Sequence, residues 1–233
     1  MTGSTSARPA IPEIIGTSTR LVPVPLVPEI RLYQAGDPIS LWQRTEETAG
    51  QTGLDPPFWA FAWAGGQALA RYLLDHPETA RGRRVIDMAS GSGLVAIAAA
   101  LAGAAAVTAY DIDPLAAEAI RVNSAANGVT VLAVCADVLA RDDIPAPDAD
   151  LVLVADAFYQ RDLGSQAMRY LERARAGGAE VLAGDFGRAY LPRARLRPLA
   201  SYDVPAQRML EGTEIKRTTV WTLLEAPSDP VPG

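Results

Sequence analysis

Short apolar runs rich in β-branched residues alternate along the chain with segments in which apolar positions recur at helical spacing. The runs at 84–88, 107–110, 129–135, 151–155 and 180–183 predict five strands. The segments near 66–75, 94–101, 114–127 and 163–175 predict four helices. Strands separated by helix-length segments are typical of βαβ units, so the sequence predicts an α/β fold with a parallel sheet.

The pattern changes in the C-terminal part of the chain. Residues 195–202 and 218–224 indicate two further strands with no long helix between them. Consecutive strands joined by a short connection usually pair antiparallel. We therefore expect a mostly parallel sheet that ends in an antiparallel edge.

The N-terminal part shows less regularity. Residues 1–30 are rich in Ser, Thr and Pro and are expected to have little regular structure of their own, and residues 31–58 are expected to form an irregular lead-in. The predicted organisation is a partly irregular N-terminal extension at 1–56, one domain at 57–226 and a tail at 227–233.

Composition narrows the class of protein. The net charge of −6 argues against a nucleic-acid backbone as the main ligand, because phosphate binding needs clustered cations. The single cysteine, Cys135, can form neither a disulfide framework nor a multi-cysteine zinc site. We therefore expect no nucleic-acid partner and no metal.

Two features bear on location. The apolar run at 94–106 is shorter than the roughly 20 residues that a membrane span requires, and it follows a glycine loop, so it predicts a buried helix. The N-terminus has no apolar signal-peptide core, and its prolines would break an amphipathic targeting helix. The expectation is a cytoplasmic protein that does not bind a membrane.

A glycine loop joins the first predicted strand of the sheet to the next helix. Residues 85–93 read Val-Ile-Asp-Met-Ala-Ser-Gly-Ser-Gly. Glycines there let the backbone approach a ligand, and the helix N-terminus presents unpaired N–H groups. Residues 91–96 also satisfy the dinucleotide fingerprint G-x-G-x-x-A, so the loop alone leaves an NAD-dependent oxidoreductase open.

Carboxylates follow three of the predicted strands. Asp87 precedes the glycine turn in the methyltransferase pattern D-x-G-x-G-x-G, at a place where a dehydrogenase binds a pyrophosphate that an extra carboxylate would repel. Asp111 can accept both hydroxyls of a ribose, which either cofactor class requires. Asp137 matches the position that commonly contacts the adenine amino group. Together the three acids favour S-adenosylmethionine over NAD.

One position departs from the methyltransferase pattern. Ala89 stands where the first glycine would be, ahead of Gly91 and Gly93. Because alanine disfavours the left-handed backbone conformation, we expect a gentler turn or a longer cofactor contact at Ala89. The cofactor loop is still predicted to consist of Ala89, Gly91 and Gly93.

Three further segments surround this core. They are W-x-G-G-Q-x-L at 63–69, D-x-F-Y at 156–159 and G-D-x-G-R at 184–188. Together with the cofactor loop they resemble the seven-β-strand protein-lysine methyltransferases called methyltransferase family 16. The likeness covers about residues 57–224, and within the family the chain is most similar to the electron-transfer flavoprotein beta-subunit lysine methyltransferases and their bacterial relatives.

The resemblance implies a fold, a cofactor and a substrate class. The fold is a Rossmann-like, seven-stranded class I methyltransferase sheet, mostly parallel, with the seventh strand antiparallel beside the sixth. The cofactor is S-adenosylmethionine, which Trp63 would border, and Asp156 and Tyr159 would line the channel that admits the target lysine. The implied partner is a protein substrate, with the electron-transfer flavoprotein beta subunit as the expected example.

Methyl transfer to lysine requires a neutral amine. A free lysine with a pKa near 10.4 costs about 4–5 kcal/mol to deprotonate at pH 7. Desolvation and a neighbouring sulfonium lower that pKa, whereas the carboxylate of Asp156 raises it. Asp156 is therefore expected to capture and orient the lysine, and Tyr159 to hydrogen-bond the nitrogen or to form an apolar wall.

Some of these residues, and the acceptor itself, admit a second interpretation. Trp59 and Trp63 could be an ordinary pair of core aromatic side chains, and Asp156 could be a loop acid that caps a helix. The acceptor could be a small-molecule amine, or the chain could bind its cofactor without activity. Enzymes that methylate amino groups of bases typically carry N/D-P-P-Y/F/W after the fourth strand, where this chain has Asp-Ala-Phe-Tyr, so a base is not the expected acceptor.

Overall fold

The computed structural model describes residues 12–50, 52–139, 148–206 and 208–224. The strands are β1 (Thr19–Pro23), β2 (Arg31–Ala35), β3 (Arg84–Met88), β4 (Ala106–Asp111), β5 (Leu132–Cys135), β6 (Leu151–Ala155), β7 (Glu180–Asp185), β8 (Leu196–Pro205) and β9 (Ile215–Leu223). The α-helices are α1 (Glu13–Ser18), α2 (Pro38–Ala49), α3 (Ala64–Asp75), α4 (Leu94–Leu101), α5 (Pro114–Ala126), α6 (Arg161–Ala176) and α7 (Arg208–Glu211). Short 3₁₀ turns lie at Phe58–Ala60, Pro77–Thr79 and Arg193–Arg195.

Seven strands form one sheet in the order β5-β4-β3-β6-β7-β9-β8. The strands from β3 to β7 pair in parallel, and β9 pairs antiparallel with β7 on one side and β8 on the other. The predicted α/β class, the mostly parallel sheet and the antiparallel seventh strand beside the sixth are confirmed. The antiparallel strand lies inside the sheet, because β9 returns from the edge strand β8 to pair with β7.

The sheet lies between two layers of helices because its central strands are apolar on both faces. Successive side chains of a strand point to opposite faces. In β3, Val85 belongs to the core cluster that contains α3 and α4, whereas Ile86 and Met88 belong to the cluster that contains α6. Helix α4 is buried from Leu94 to Ala99, as its continuous apolar run predicts. Among the described residues, no helix is long and apolar enough to span a membrane.

The N-terminal part of the chain is more regular than the sequence predicts. Strands β1 and β2 pair as an antiparallel hairpin, and α2 follows with Asp37 as its N-cap. Between the two strands, Val24, Val27 and Ile30 are fully buried in the main core cluster. The expectation of little regular structure followed by an irregular lead-in is therefore wrong for residues 12–50.

Side chains from a distant helix hold this hairpin, which explains why its local sequence carries little signal. The amide N–H of Tyr33 donates to Asn123 Oδ1 at 2.8 Å, and that of Arg31 donates to Asn127 Oδ1 at 2.9 Å. Both asparagines lie at the C-terminal end of α5. The first 11 residues and the predicted tail at 227–233 lie outside the described residues.

Candidate active site

A cleft of about 1100 Å³ opens at the carboxyl ends of the parallel strands. The four strand-end acids that the sequence singles out, Asp87, Asp111, Asp137 and Asp156, all line it. Parallel strands bring their carboxyl ends to one edge of the sheet, where ligands of open α/β folds bind. The topology therefore brings together residues that lie far apart in the chain.

Asp87 lies beneath the cofactor loop and is 1% exposed. Its Oδ2 accepts the hydroxyl of Ser90 at 2.5 Å and the amide N–H of Ala96 at 3.0 Å. Burial raises the pKa of Asp87 to about 7, against the lowering effect of these two hydrogen bonds. The carboxyl group thus ties the loop to the first turn of α4.

The cofactor loop turns through left-handed backbone conformations. The φ angle is 52° at Ala89, 55° at Gly91 and 82° at Gly93. The expectation of a gentler turn at Ala89 is wrong, because alanine adopts here the conformation that glycine would adopt. A left-handed alanine costs about 1–2 kcal/mol. The amide N–H of Ser90 donates to the carbonyl of Tyr110 at 3.0 Å and helps to hold the turn.

Gly93, unlike Ala89 and Gly91, lies outside the cleft wall. It is the N-cap residue of α4, and a β-carbon there would lie 3.2 Å from the Cα of Ile120. The position therefore requires glycine for its positive φ and for the close packing of the loop on α5.

Asp111 ends β4 and faces the cofactor loop. Its Oδ2 accepts the amide N–H of Gly91 at 2.8 Å, and its Oδ1 accepts that of Asp113 at 3.0 Å. Burial raises its pKa. A carboxylate has about four lone-pair sites, so two remain for other donors, such as the two hydroxyls of a ribose.

The wall beyond Asp111 combines an exposed apolar side chain with another acid. Ile112 is 63% exposed and lines the cleft. Asp137 lies beyond β5, and its Oδ1 accepts the amide N–H of Leu139 at 3.0 Å. An apolar surface beside a carboxylate suits a purine ring with an exocyclic amino group. Sequence reasoning missed Ile112, although an apolar residue between two acids at a strand end was a usable signal.

Aromatic side chains form another part of the wall. The indole N–H of Trp63 donates to the carbonyl of Phe58 at 2.9 Å. The ring of Phe58 lies 5.8 Å from that of Trp63 and 5.6 Å from that of Tyr159. Tyr159 is 43% exposed, and partial burial and nearby carboxylates raise its pKa, so its hydroxyl is protonated at neutral pH. Trp59 is 1% exposed and belongs to a core cluster, as the core interpretation predicts.

Asp156 lies directly after β6 with a φ of 57°. Its Oδ1 accepts the amide N–H of Gly65 at 3.1 Å, and its Oδ2 accepts that of Gly66 at 2.8 Å. Arg188 Nη1 also donates to Oδ1 at 2.5 Å. Burial raises the pKa of Asp156, whereas Arg188 lowers it. Asp156 therefore binds the first turn of α3, as the helix-cap interpretation predicts. The same side chain also lines the cleft.

Gln67, another residue of the W-x-G-G-Q-x-L segment, has a structural role. Its side chain is buried, and its Oε1 accepts the amide N–H of Leu26 at 3.2 Å. Its Nε2 donates to the carbonyls of Ala62 at 2.7 Å and Pro205 at 3.2 Å. Gln67 thus joins the N-terminal hairpin and the end of β8 to the start of α3.

The G-D-x-G-R segment contacts Asp156 from β7. Asp185 is fully buried, and its Oδ1 accepts the amide N–H groups of Gly187 at 2.6 Å and Arg188 at 2.7 Å. Its Oδ2 accepts Arg188 Nη1 at 3.0 Å. Burial lowers the pKa of Arg188, but the carboxylates of Asp156 and Asp185 raise it, and the net shift is upward. Arg188 therefore stays a cation that bridges two buried acids, and it lies 4.1 Å from the ring centroid of Phe186.

Glu211, the last residue of α7, is a cleft residue that sequence reasoning missed. Its side chain is 4% exposed, its Oε1 accepts the amide N–H of Ala64 at 3.2 Å, and its Oε2 lies 3.9 Å from Lys216 Nζ. Burial and the charge of Asp156 raise its pKa, whereas Lys216 and Arg188 lower it. Glu211 lies between the last two strands and belongs to no motif, so no local signal points to it.

The described part of the cleft wall is strongly acidic. Its carboxyl groups are those of Asp55, Asp87, Asp111, Asp113, Asp137, Asp156, Asp162 and Glu211, and its cations are Arg188 and Lys216. Such a wall attracts cations and repels phosphates. S-adenosylmethionine carries a sulfonium and an ammonium group, so the charge of the wall fits it better than it fits a pyrophosphate.

The sheet order, the loop and the strand-end acids together define a class I methyltransferase that uses S-adenosylmethionine. The model of the ribosomal protein L11 methyltransferase (PrmA) family matches residues 67–158. An electron transfer flavoprotein beta subunit lysine methyltransferase from Xenopus laevis is 39% identical over 204 residues, which cover 85% of this chain and 80% of that protein. The protein of the same name from Rattus norvegicus is 34% identical over 203 residues, with coverages of 84% and 77%. The chain belongs to the family of the electron transfer flavoprotein beta subunit lysine methyltransferases.

A solved structure supports the fold. The Thermus thermophilus 16S rRNA N2 G1207 methyltransferase, in complex with S-adenosylmethionine and guanosine, superposes with a TM-score of 0.51 at 17% identity, covering 71% of this chain and 44% of that one. At this identity the likeness concerns the fold alone. The family resemblance, the enzyme class and the S-adenosylmethionine cofactor predicted from the sequence are confirmed, and the NAD-dependent oxidoreductase is set aside.

Proposed function

We propose that this protein transfers methyl groups to lysine side chains of a protein, and that the acceptor is the beta subunit of electron-transfer flavoprotein. The observation that carries the proposal is the 39% identity, over 85% of this chain, to a relative named for that activity. The charge of the cleft supports it, because an acidic wall attracts the protonated side chain of a lysine.

We propose that one half of the cleft holds the cofactor. The residues assigned to it are Trp63, Asp87, Ala89, Gly91, Gly93, Asp111 and Asp137, with Ile112 added from the structure. Asp111 would accept the ribose hydroxyls, Asp137 the adenine amino group, and Ile112 would cover the purine ring. S-adenosylmethionine would supply a methyl group bound to a sulfonium. A neutral amine would attack that methyl carbon, the carbon–sulfur bond would break, and S-adenosylhomocysteine would leave as a neutral thioether. Gly93 acts by packing rather than by contact.

Asp156 is proposed to receive the acceptor lysine. Its carboxylate already accepts hydrogen bonds from Gly65, Gly66 and Arg188, so of its four lone-pair sites about one, on Oδ2, remains. That capacity suits a single N–H of an incoming ammonium group. Because Asp156 stabilises the charged form, the lysine proton would leave to water before the transfer.

Tyr159 and its aromatic neighbours are proposed to complete the acceptor channel. The hydroxyl of Tyr159 is protonated at neutral pH and can donate to, or accept from, the lysine nitrogen. The rings of Phe58 and Trp63 give the channel apolar walls that exclude water. Loss of water lowers the pKa of the lysine towards the neutral amine that attacks.

Nucleic acid is not proposed as an acceptor, because its phosphates would face the acidic wall.

We also propose that the protein works in the cytoplasm, where the exposed thiol of Cys135 would stay reduced.

The class of the acceptor can be tested by incubating the purified protein with isotope-labelled S-adenosylmethionine and a cell lysate. Matched samples are then treated with protease, with nuclease or by dialysis. We expect label that protease removes from the macromolecular fraction and that nuclease leaves in place. Label released by nuclease would contradict the protein acceptor, and label lost on dialysis would point to a small-molecule amine.

A further inference from the structure

Glu211 carries a buried carboxylate oxygen that has no hydrogen-bond partner among the described residues. The side chain is 4% exposed and lines the cleft. Its Oε1 accepts the amide N–H of Ala64, but its Oε2 accepts no hydrogen bond from the part of the chain that the structure describes. A buried polar atom without a hydrogen-bond partner destabilises the folded protein, so such an atom at the wall of a site is typical of a group that binds a ligand.

The neighbour of this oxygen identifies the chemistry that it accepts. Lys216 is the single lysine in the sequence, and it lines the same cleft. Its Nζ lies 3.9 Å from Glu211 Oε2 and 3.4 Å from the ring centroid of Phe186. A carboxylate and an aromatic face are the two groups that bind ammonium ions in proteins.

Glu211 also lies beside Asp156, the residue proposed to receive the acceptor lysine. Glu211 binds the first residue of α3, and Asp156 binds the next two amides of the same turn. The two carboxylates therefore lie at one helix end and share the wall of one cleft. Asp156 already accepts three hydrogen bonds and Glu211 only one, so Glu211 has the greater remaining capacity for an ammonium group.

We propose that Glu211 and Phe186 complete, beside Asp156, the subsite that binds the ammonium group of the acceptor lysine. One N–H of that group would bind Asp156 and another would bind Glu211, and Lys216 occupies this subsite until the acceptor displaces it. The proposal rests on the lysine methyltransferase activity proposed above. It adds a residue pair that selects cationic acceptors and an internal side chain that imitates the substrate.

A small ammonium probe tests the subsite without knowledge of the acceptor protein. Binding of n-butylammonium chloride to the full-length protein is measured by calorimetry at constant ionic strength. Glu211→Gln keeps an oxygen for the Ala64 amide and removes the charge, so we expect binding weaker by about fivefold or more. Glu214→Gln is the matched control, because Glu214 is exposed in the same connection between β8 and β9. Equal binding by wild type and Glu211→Gln would overturn the proposal.

Kinetics with the flavoprotein beta subunit give the second readout. Glu211→Gln should raise the KM for the acceptor about tenfold or more, while the affinity for S-adenosylhomocysteine changes by less than about twofold. Lys216→Met should lower the KM, because it removes the internal competitor. A KM for Lys216→Met at or above that of wild type would refute the displacement of Lys216. If wild type labels no flavoprotein, the proposed function fails, and the n-butylammonium measurement still decides the subsite.

Discussion

The backbone of Gly65 lies directly against the backbone of Gly184. A β-carbon on either glycine would overlap the carbonyl oxygen of the other, and one on Gly65 would also lie 2.6 Å from Asp156 Oδ2. This approach brings the first turn of α3 onto the end of β7, next to the Asp156 carboxylate that binds it. Both glycines belong to segments that carry the family resemblance, so part of that signature is a packing requirement.

Gly65→Ala should destabilise the protein, because its new methyl group meets rigid backbone. We expect the free energy of unfolding to fall by about 1–3 kcal/mol in urea titrations. Gly66→Ala is the matched control, since its β-carbon would lie 3.6 Å from Leu94 Cδ2, an ordinary contact distance. The control should be close to wild type. Equal stability of the two variants would show that α3 and β7 are not in close contact.

The pair of Asp156 and Arg188 should couple strongly. Both side chains are mostly buried, with exposures of 12% and 13%, and Arg188 Nη1 lies 2.5 Å from Asp156 Oδ1. Arg188→Ala leaves the carboxylates of Asp156 and Asp185 without their cation, so it should lower the free energy of unfolding by about 3–5 kcal/mol. Asp156→Ala should cost less, because Asp185 still pairs with Arg188. The double variant should lose less than the sum, with a coupling energy of about 1–3 kcal/mol. Strict additivity would mean that the two side chains do not interact in solution.

Asp111 should determine the affinity for the cofactor. Asp111→Ala removes the carboxylate that we propose accepts two ribose hydroxyls, so calorimetry with S-adenosylhomocysteine should show binding weaker by about 1–3 kcal/mol. Asp162→Asn changes the net charge of the cleft by the same amount and serves as the control. If both variants weaken binding equally, then Asp111 contributes to affinity through the overall negative charge of the cleft and not through a contact with the ribose.

The buried acid beneath the cofactor loop should make stability depend on pH. Burial raises the pKa of Asp87 from 3.8 to about 7 in the folded protein. Folding therefore favours the protonated form of Asp87. The stability that this protonated form contributes is fully present below pH 3.8 and is lost as the pH rises to about 7.

Asp87→Asn measures this contribution, because it removes the titrating carboxyl group and leaves the other acids in place. The variant should gain stability relative to wild type as the pH rises from 4 to 7, by up to about 4 kcal/mol. Urea titrations at several pH values measure the difference in the free energy of unfolding. A difference that does not change with pH would place the pKa of Asp87 near its ordinary value.

The central elements were predictable because their sequence signal is local. Strand β3, helix α4 and strand β6 have the predicted bounds, since each is an apolar run with glycines or charged residues at its ends. The gathering of Asp87, Asp111, Asp137 and Asp156 in one cleft follows from parallel topology alone. Pattern and connectivity therefore determine the core and the strand-end acids.

The remaining features depend on contacts between distant parts of the chain. The N-terminal hairpin is held by Asn123 and Asn127, which lie more than 80 residues away in the sequence. The left-handed turn at Ala89 depends on tertiary hydrogen bonds, and a single sequence does not reveal them. Glu211 reaches the cleft only because β9 enters the sheet beside β7. No local periodicity encodes such contacts.

The most direct test of the proposed function uses purified electron-transfer flavoprotein. The protein is incubated with it and S-adenosylmethionine, and the beta subunit is digested and sequenced by mass spectrometry. We predict methyl groups on lysine side chains of the wild-type beta subunit and none on a variant in which those lysines are arginine. An unmodified wild-type subunit, or equal methylation of the arginine variant, would contradict the proposed substrate.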